Sequence, residues 1–464
     1  MLGNDFIRAN MREFGTKYHQ LRWLTPAQAE RAEEKRAELL DHLADKAVCG
    51  FNGSKLDCRG LSPGCECCGT GTWSCLFITG RCNAHCAYCP SPQNESGVPA
   101  TNTVPFPIAG EYADYIERFD FRGASISGGE PLLVLGAALR YIKEVKRRRG
   151  PRTHLWLYTN GTLANKQNLT ALADAGLDEI RFDIGATAYH LKKLKLAAGI
   201  IPRITVEIPA MPQDYRILQA MLPELVAAGA QHLNLHQLRL TPHNFSRLVG
   251  QNYTFLHGER VTVLQSELVA LQLLTDALDM GLNLPVNYCS AVFKVRFQQA
   301  AARRRGASVA AKSWEDITET GHLRSLSVVE QQLAPRAAAA RLEAARVAPT
   351  EWQLSADGQQ LFFSHRAWPA LAPFSSGLSL RYDEALVCSS PEQVAAAMAV
   401  PLAGGRVLYV ERRPALPARS IPPESIEMLD QLLNRKPAVG LSGDPAWQPI
   451  LDHELLPWGL TPYF

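Results

Sequence analysis

From residue 75 onward, short apolar runs of strand length alternate with longer amphipathic stretches. The runs at 75–79, 124–127, 154–159, 179–184, 203–208 and 232–238 predict six strands. Between them the apolar period shifts to that of a helix, for example over 132–148 and 168–175, with Gly176 where a helix C-cap belongs. A further helix over 261–280 leads to a seventh strand-like run at 284–288. Repeated strand–helix units imply a parallel sheet with right-handed crossovers, open or curled toward a barrel.

The flanks read differently. Thr25-Pro26-Ala27-Gln28 is a capping box with proline in the first turn, and opens a helix running through Ala47. Residues 49–74 turn to Gly, Cys, Ser and Pro with little periodicity, so something other than an apolar core must order them. Beyond 310 the pattern is strand (323–329), helix (336–346), strands (352–354, 360–364, 378–387), helix (391–399) and strand (406–410), an α+β texture of ferredoxin-like type. Pro369–Pro373 and Pro414–Pro423 read as irregular connections. The expected organisation is a helical and Cys-rich extension (1–74), an α/β domain (75–305) and a C-terminal α+β domain (306–464).

A chain of 464 residues exceeds one ordinary core, and 46% hydrophobic with 20% charged residues is the balance of a globular protein. The net charge of +3 is too small to argue for nucleic acid or an anionic membrane. The basic runs Arg147–Arg149 and Arg303–Arg305 read as solvated helix ends. No stretch looks like a signal peptide or a membrane span, and the start with Asn4, Asp5 and Arg8 suits the cytoplasm. Nine of the 11 cysteines fall between Cys49 and Cys89. In a reducing compartment such crowding points to metal ligation rather than disulfides.

The centre of that region is Cys82-Asn-Ala-His-Cys86-Ala-Tyr-Cys89, directly after the first strand. Three thiolates around one corner of an iron–sulfur cube leave one iron without a protein ligand, free to take a small chelating group. Structural zinc wants a fourth ligand, which His85 offers as the alternative. Ser127-Gly128-Gly129-Glu130-Pro131 follows the second strand, with two glycines suited to close backbone approach and a carboxylate suited to an ammonium group. Both motifs land where parallel sheets put their chemistry, at the C-terminal ends of the strands.

These residues resemble the radical S-adenosylmethionine (SAM) superfamily over about residues 75 to 290. The CxxxCxxC spacing matches at Cys82, Cys86 and Cys89, the aromatic before the last cysteine at Tyr88, and the GGE motif at Gly128, Gly129 and Glu130. Thr159-Asn160-Gly161 looks like the activase branch. The resemblance implies a partial (β/α)6 barrel and a [4Fe-4S] cluster that gives one electron to bound SAM, whose 5′-deoxyadenosyl radical takes a hydrogen from the substrate. It implies that Tyr88 places its backbone near the adenine. It also implies SAM contacts for an acidic residue on strand four, here Asp183, and a histidine on strand six, here His236. Glu207 on strand five has the same standing, and a buried ion pair is the competing reading for each. An external one-electron reductant of flavodoxin or ferredoxin type is implied as partner.

A second set, Cys58, Cys65, Cys68 and Cys75, contains a CxxC pair among glycines and suits an auxiliary iron–sulfur cluster, a mononuclear iron or structural zinc. Cys289, ending the seventh strand ahead of Lys294 and Arg296, is a candidate hydrogen donor, metal ligand or methyl carrier, against a small buried hydrophobe. The function expected is hydrogen abstraction from an unidentified small molecule or protein segment. The rivals are a radical SAM methyltransferase using cobalamin or a cysteine, with cobalamin not favoured, and a non-catalytic zinc scaffold.

Overall fold

The computed structural model describes residues 2–329, 335–371, 377–392, 397–434 and 446–463, the side chains of 2–4 and of Cys58 excepted. The chain forms two compact units, one of Met1–Gln298, Leu402–Gly404 and Pro457–Phe464, the other of Gln299–Pro401 and Gly405–Leu456.

In the first unit the capping box opens α1 (Pro26–Leu43), with the Thr25 amide donating to Gln28 Oε1 at 3.0 Å. β1 (Lys55–Cys58) and the short helix α2 (Pro63–Gly69) follow. Then come β2 (Trp73–Thr79), β3 (Gly123–Gly128), α3 (Leu135–Arg149), β4 (His154–Thr159), β5 (Glu179–Phe182), β6 (Arg203–Pro209), β7 (His232–His236), α4 (Leu264–Asp279) and β8 (Val286–Cys289). The strands from β2 to β8 pair in sequence order, every neighbour parallel, and β1 pairs antiparallel with β8. Val48–Cys49 beyond β1, and Ala100–Thr101 and Val104–Pro105 beyond β2, extend the sheet to eleven strands. This is the α/β partial barrel expected.

Alternation along each strand sorts the side chains onto two faces. One face carries Leu76, Ile126, Leu157, Ile180, Val206, Leu235 and Val286, all essentially inaccessible, and α4 packs on it at β7 and β8. Each such side chain contributes roughly 1.5–3 kcal/mol through burial. The opposite face is polar: Ser125, Trp156, Glu179, Arg181, Thr205, Asn234, Asn287 and Lys55 are all buried there. A buried polar face demands partners, and α2 supplies several. Segment 49–74, expected to be short of structure, thus provides both an edge strand and a helix laid against the polar face.

The second unit is built on a wholly antiparallel seven-stranded sheet whose longest members are Leu378–Cys388 and Val407–Ile421. Leu326, Phe363, Trp368, Leu380 and Leu429 form its core with the helix Pro335–Ala344. Three expectations are corrected here. A ferredoxin-like unit has four strands, fewer than this sheet. The helix expected over 391–399 is not formed in its described part: Ala397–Pro401 is a strand paired with Val407–Glu411, cross-strand bonding overriding the helix preference of alanine, while 393–396 lie outside the described residues. The connection expected at Pro414–Pro423 is strand as far as Ile421, its prolines accommodated where the register slips between Leu380 and Asp383. Of the connection expected at Pro369–Pro373, residues 372 and 373 lie outside the described residues. Among the described residues no helix is long and apolar enough to cross a membrane.

Candidate active site

At the C-terminal ends of β2 to β7 a cavity of about 440 Å³ opens, and the sequence motifs converge on it. Its lining includes Cys82, Cys86, Cys89, Tyr88, Gly128, Gly129, Asn160, Asp183, Glu207 and His236. The three thiols are unpaired. Cys82 Sγ accepts from the Ala84 amide at 3.4 Å and from Asn160 Nδ2 at 3.6 Å, the kind of donor a thiolate ligand takes. Burial pushes the Cys86 thiol up to about 11 in the metal-free chain, so metal entry must displace its proton. His85 is exposed and stands apart from the cavity lining, which removes the fourth protein ligand a structural zinc site requires. The thiol set and its amide donors fit a three-ligand iron–sulfur cluster.

The GGE segment works differently from expectation. Gly129 N donates to Thr79 O at 2.7 Å and Glu130 N to Arg81 O at 2.8 Å, stitching the end of β3 to the start of the cysteine loop. A Cβ on Gly128, where φ is +126°, would lie 2.2 Å from Thr79 O, and one on Gly129 2.0 Å from Arg81 O. The close approach the glycines permit is thus first to the chain itself. Glu130, expected to accept from an ammonium group, is fully buried and already accepts from three donors of the chain. Oε1 accepts from Leu132 N and Thr159 Oγ1, both at 2.9 Å, and Oε2 from Asn160 N at 2.7 Å. Through Asn160, whose Nδ2 reaches Cys82 Sγ, this carboxylate is linked to the cysteine loop.

Tyr88 donates from its hydroxyl to Asp183 Oδ1 at 2.7 Å, and its backbone carbonyl accepts from Asn244 Nδ2 at 3.1 Å. Burial raises Asp183 to about 6, against opposing hydrogen bonds from Tyr88 and the Ala186 and Gly185 amides. A cationic ligand in the cavity therefore meets a carboxyl close to its ionisation point.

Below the cavity an alternating chain of charges crosses the polar face. His154 reaches Glu179 at 2.9 Å, Arg181 bridges Glu179 (2.7 Å) and Glu207 (2.6 Å), His236 Nε2 reaches Glu207 at 2.5 Å, and Lys294 donates to His236 Nδ1 at 2.7 Å. Lys294 at Nδ1 makes Nε2 the protonated nitrogen, donating to Glu207. Asp183, His236 and Glu207 are thereby brought to one cavity, and the ion-pair reading holds for Glu207 and His236 at the same time.

The second cysteine set is only partly assembled. Cys65 is buried and accepts from Asn234 Nδ2 at 3.2 Å, and Cys68 accepts from Gln298 Nε2 at 3.3 Å. Cys75 sits elsewhere on the polar face, bonded to Ser125 and Ser127, and the Cys58 side chain lies outside the described residues. Cys289 stands in this neighbourhood where Cys75 was expected: strand pairing sets it opposite Lys55, on the same face as Asn287 two residues earlier, whose amide bonds Cys65. Burial raises the Cys289 thiol, but Lys55, Lys294 and His236 outweigh it and bring it down to about 6. Among the described residues no three His, Cys, Asp or Glu side chains already stand in metal-holding geometry. That is as true of Cys82, Cys86 and Cys89 as of this set.

The Radical SAM superfamily model matches residues 76–207. A protein of Methanocaldococcus jannaschii named as a glycyl-radical enzyme activating enzyme is 30% identical over 276 residues, 57% of this chain and 72% of that protein. The chain belongs to the radical SAM superfamily. Its cofactors are accordingly a [4Fe-4S] cluster and SAM, and it is an enzyme of the radical SAM class, which needs an external one-electron reductant. A GTP 3′,8-cyclase of Mycobacterium marinum is 31% identical over 113 residues, 24% of this chain and 30% of that one. Among solved structures, SuiB of Streptococcus suis bound to SAM superposes with a TM-score of 0.36 at 13% identity, covering 62% of this chain and 60% of SuiB.

Sequence reasoning missed Lys55, Asn287 and Asn244. The Lys55-Leu56-Asp57 alternation, a buried leucine between two polar residues, was the available signal for an edge strand.

Proposed function

We propose that this chain abstracts a hydrogen atom from its substrate, with Cys82, Cys86 and Cys89 as the cluster ligands and the cavity above β2–β7 as the place where SAM and substrate meet. The observation that carries this is the convergence of three free thiols, the glycine turn and the charged strand ends on one cavity. The cluster, when bound, supplies the electron that splits SAM into methionine and a 5′-deoxyadenosyl radical, which takes the hydrogen. The chain's own work is to hold and shield. Glu130 fixes Asn160 beside Cys82, Tyr88 fixes Asp183, and Asp183 offers a negative charge to a cationic ligand. The substrate is of the class the relative's name suggests, a glycine-bearing protein segment. Flavodoxin or ferredoxin serves as reductant.

The test is anaerobic reconstitution with dithionite and SAM. The wild-type chain releases 5′-deoxyadenosine and no S-adenosylhomocysteine, and Cys86→Ala reduces release at least a hundredfold. Sustained release from Cys86→Ala removes the triad from the reaction, and stoichiometric S-adenosylhomocysteine replaces hydrogen abstraction with methyl transfer.

A further inference from the structure

Antiparallel pairing places Lys55 directly opposite Cys289, and parallel pairing places Cys289 beside His236, so the three side chains share one row of the polar face. In the next row Asn287 stands beside Asn234. Over these rows lies α2, whose Cys65 and Cys68 are one helical turn apart, with Cys65 bonded by Asn234 and Asn287 of the rows beneath it. Cys65 Sγ takes amide hydrogen bonds from Asn234 at 3.2 Å and from Asn287 at 3.9 Å, and Cys68 Sγ takes one from Gln298 at 3.3 Å.

Two features are costly if these sulfurs are merely thiols. Lys55 is 1% exposed, its ammonium lies over the Phe293 ring at 4.4 Å, and no carboxylate bonds it. Two carboxylates lie in its field: Glu207 is already held by Arg181 and His236, and Asp57, two residues along the same strand face, accepts from the Gly60 amide. A buried ammonium calls for nearby negative charge. Amide donors aimed at sulfur are, likewise, what metal-bound thiolates attract. Three thiolates, one ammonium and a divalent cation sum to zero charge. The Cys65-x-x-Cys68 spacing on one turn is that of a pair gripping a single ion.

The geometry points to a second metal site in this chain, formed by Cys65, Cys68 and Cys289, taking one thiophilic divalent ion (zinc or ferrous iron) with Lys55 as its charge partner. The site is separate from the Cys82, Cys86 and Cys89 cluster and does not depend on it. Three protein ligands leave one position of a tetrahedral ion for water or for a polar group of the substrate, since His236 in the same row lines the reaction cavity.

The test uses the full chain carrying Cys82→Ala, Cys86→Ala and Cys89→Ala, purified anaerobically. Elemental analysis is expected to find about one zinc or iron per chain without acid-labile sulfide, and X-ray absorption at that metal to find three sulfur neighbours. Adding Cys289→Ser or Cys65→Ser should lower metal content at least fivefold, while adding Cys75→Ser leaves it unchanged. Should Cys289→Ser fail to fold, the sulfur count on the parent variant decides alone. A folded parent without metal, four sulfur neighbours, stoichiometric labile sulfide, metal retained after Cys289→Ser, or metal lost after Cys75→Ser each overturns the proposal.

Discussion

Glu130 shows how a motif residue can matter without touching a ligand. Its two oxygens satisfy three donors in a fully buried place. Removing them leaves Leu132 N and Asn160 N unpaired, each at a cost of about 1–3 kcal/mol, while Thr159 Oγ1 loses its acceptor but keeps the bond it accepts from the Gly161 amide. Glu130→Ala should therefore melt several degrees below wild type and bind its cluster poorly, because Asn160 loses its hold beside Cys82. Thermal melting and visible cluster absorption measure both. Unchanged stability with weakened SAM binding is the opposite pattern, and assigns Glu130 to direct ammonium contact. The spacing of Cys82, Cys86 and Cys89 was legible because three ligands around one cube need a short loop. The partners of Glu130 were not: they come from β4 and the turn after it, and no local pattern announces a contact made across strands.

At the scale of elements the telling piece is α2. Ser62 accepts from the Cys65 amide at 3.3 Å and also from Arg181 Nη2 at 3.0 Å, so the cap of this helix is tied to the charge chain beneath it. Gly64 sits so close to that chain that an added Cβ would stand 2.3 Å from Arg181 Nη2 and 3.2 Å from the Trp156 ring. Arg181 cannot swing aside, being held by Glu179 and Glu207. Gly64→Ala should destabilise by about 1–3 kcal/mol, the usual cost of overpacking. Gly136→Ala, in the open first turn of α3 with only Arg140 at 3.9 Å, should be neutral or slightly stabilising. Chemical unfolding of the two variants makes the comparison, and equal stabilities remove α2 from the packed interior. The strand–helix rhythm of 75–290 was readable because each period repeats. Segment 49–74 was not, since its order comes from polar partners on β5, β7 and β8 rather than from apolar spacing.

The whole chain carries an acid-sensitive point in its second unit. His322 is 8% exposed, and burial, with Arg303 and His453 nearby, lowers it to about 3. Its folded value lies below the ordinary 6.5. Above 6.5 neither folded nor unfolded chain holds the proton, and His322 costs nothing. Below 6.5 the unfolded chain takes up a proton the folded one refuses, so stability falls as pH drops through the interval from about 6.5 to about 3. At pH about 5.5 the loss is about 1.4 kcal/mol, or roughly 3–6 °C in melting temperature for a unit of this size. His322→Asn should shrink the difference in melting between pH about 7.5 and 5.5 by that amount, and an unaltered difference places the acid response elsewhere.

The pairing of β1 with β8 has a consequence for how the protein is made. Cys65 meets Asn287 across 222 residues of chain. During synthesis the CxxC turn leaves the ribosome long before the strand that receives it, and loop closure over such a span is slow. The early cysteines must wait, reduced and exposed to oxidants, until the final strand of the sheet emerges to cover them. Any nascent chain ending short of Val286 lacks Asn287, and leaves Cys65 with only the amide of Asn234 beside it.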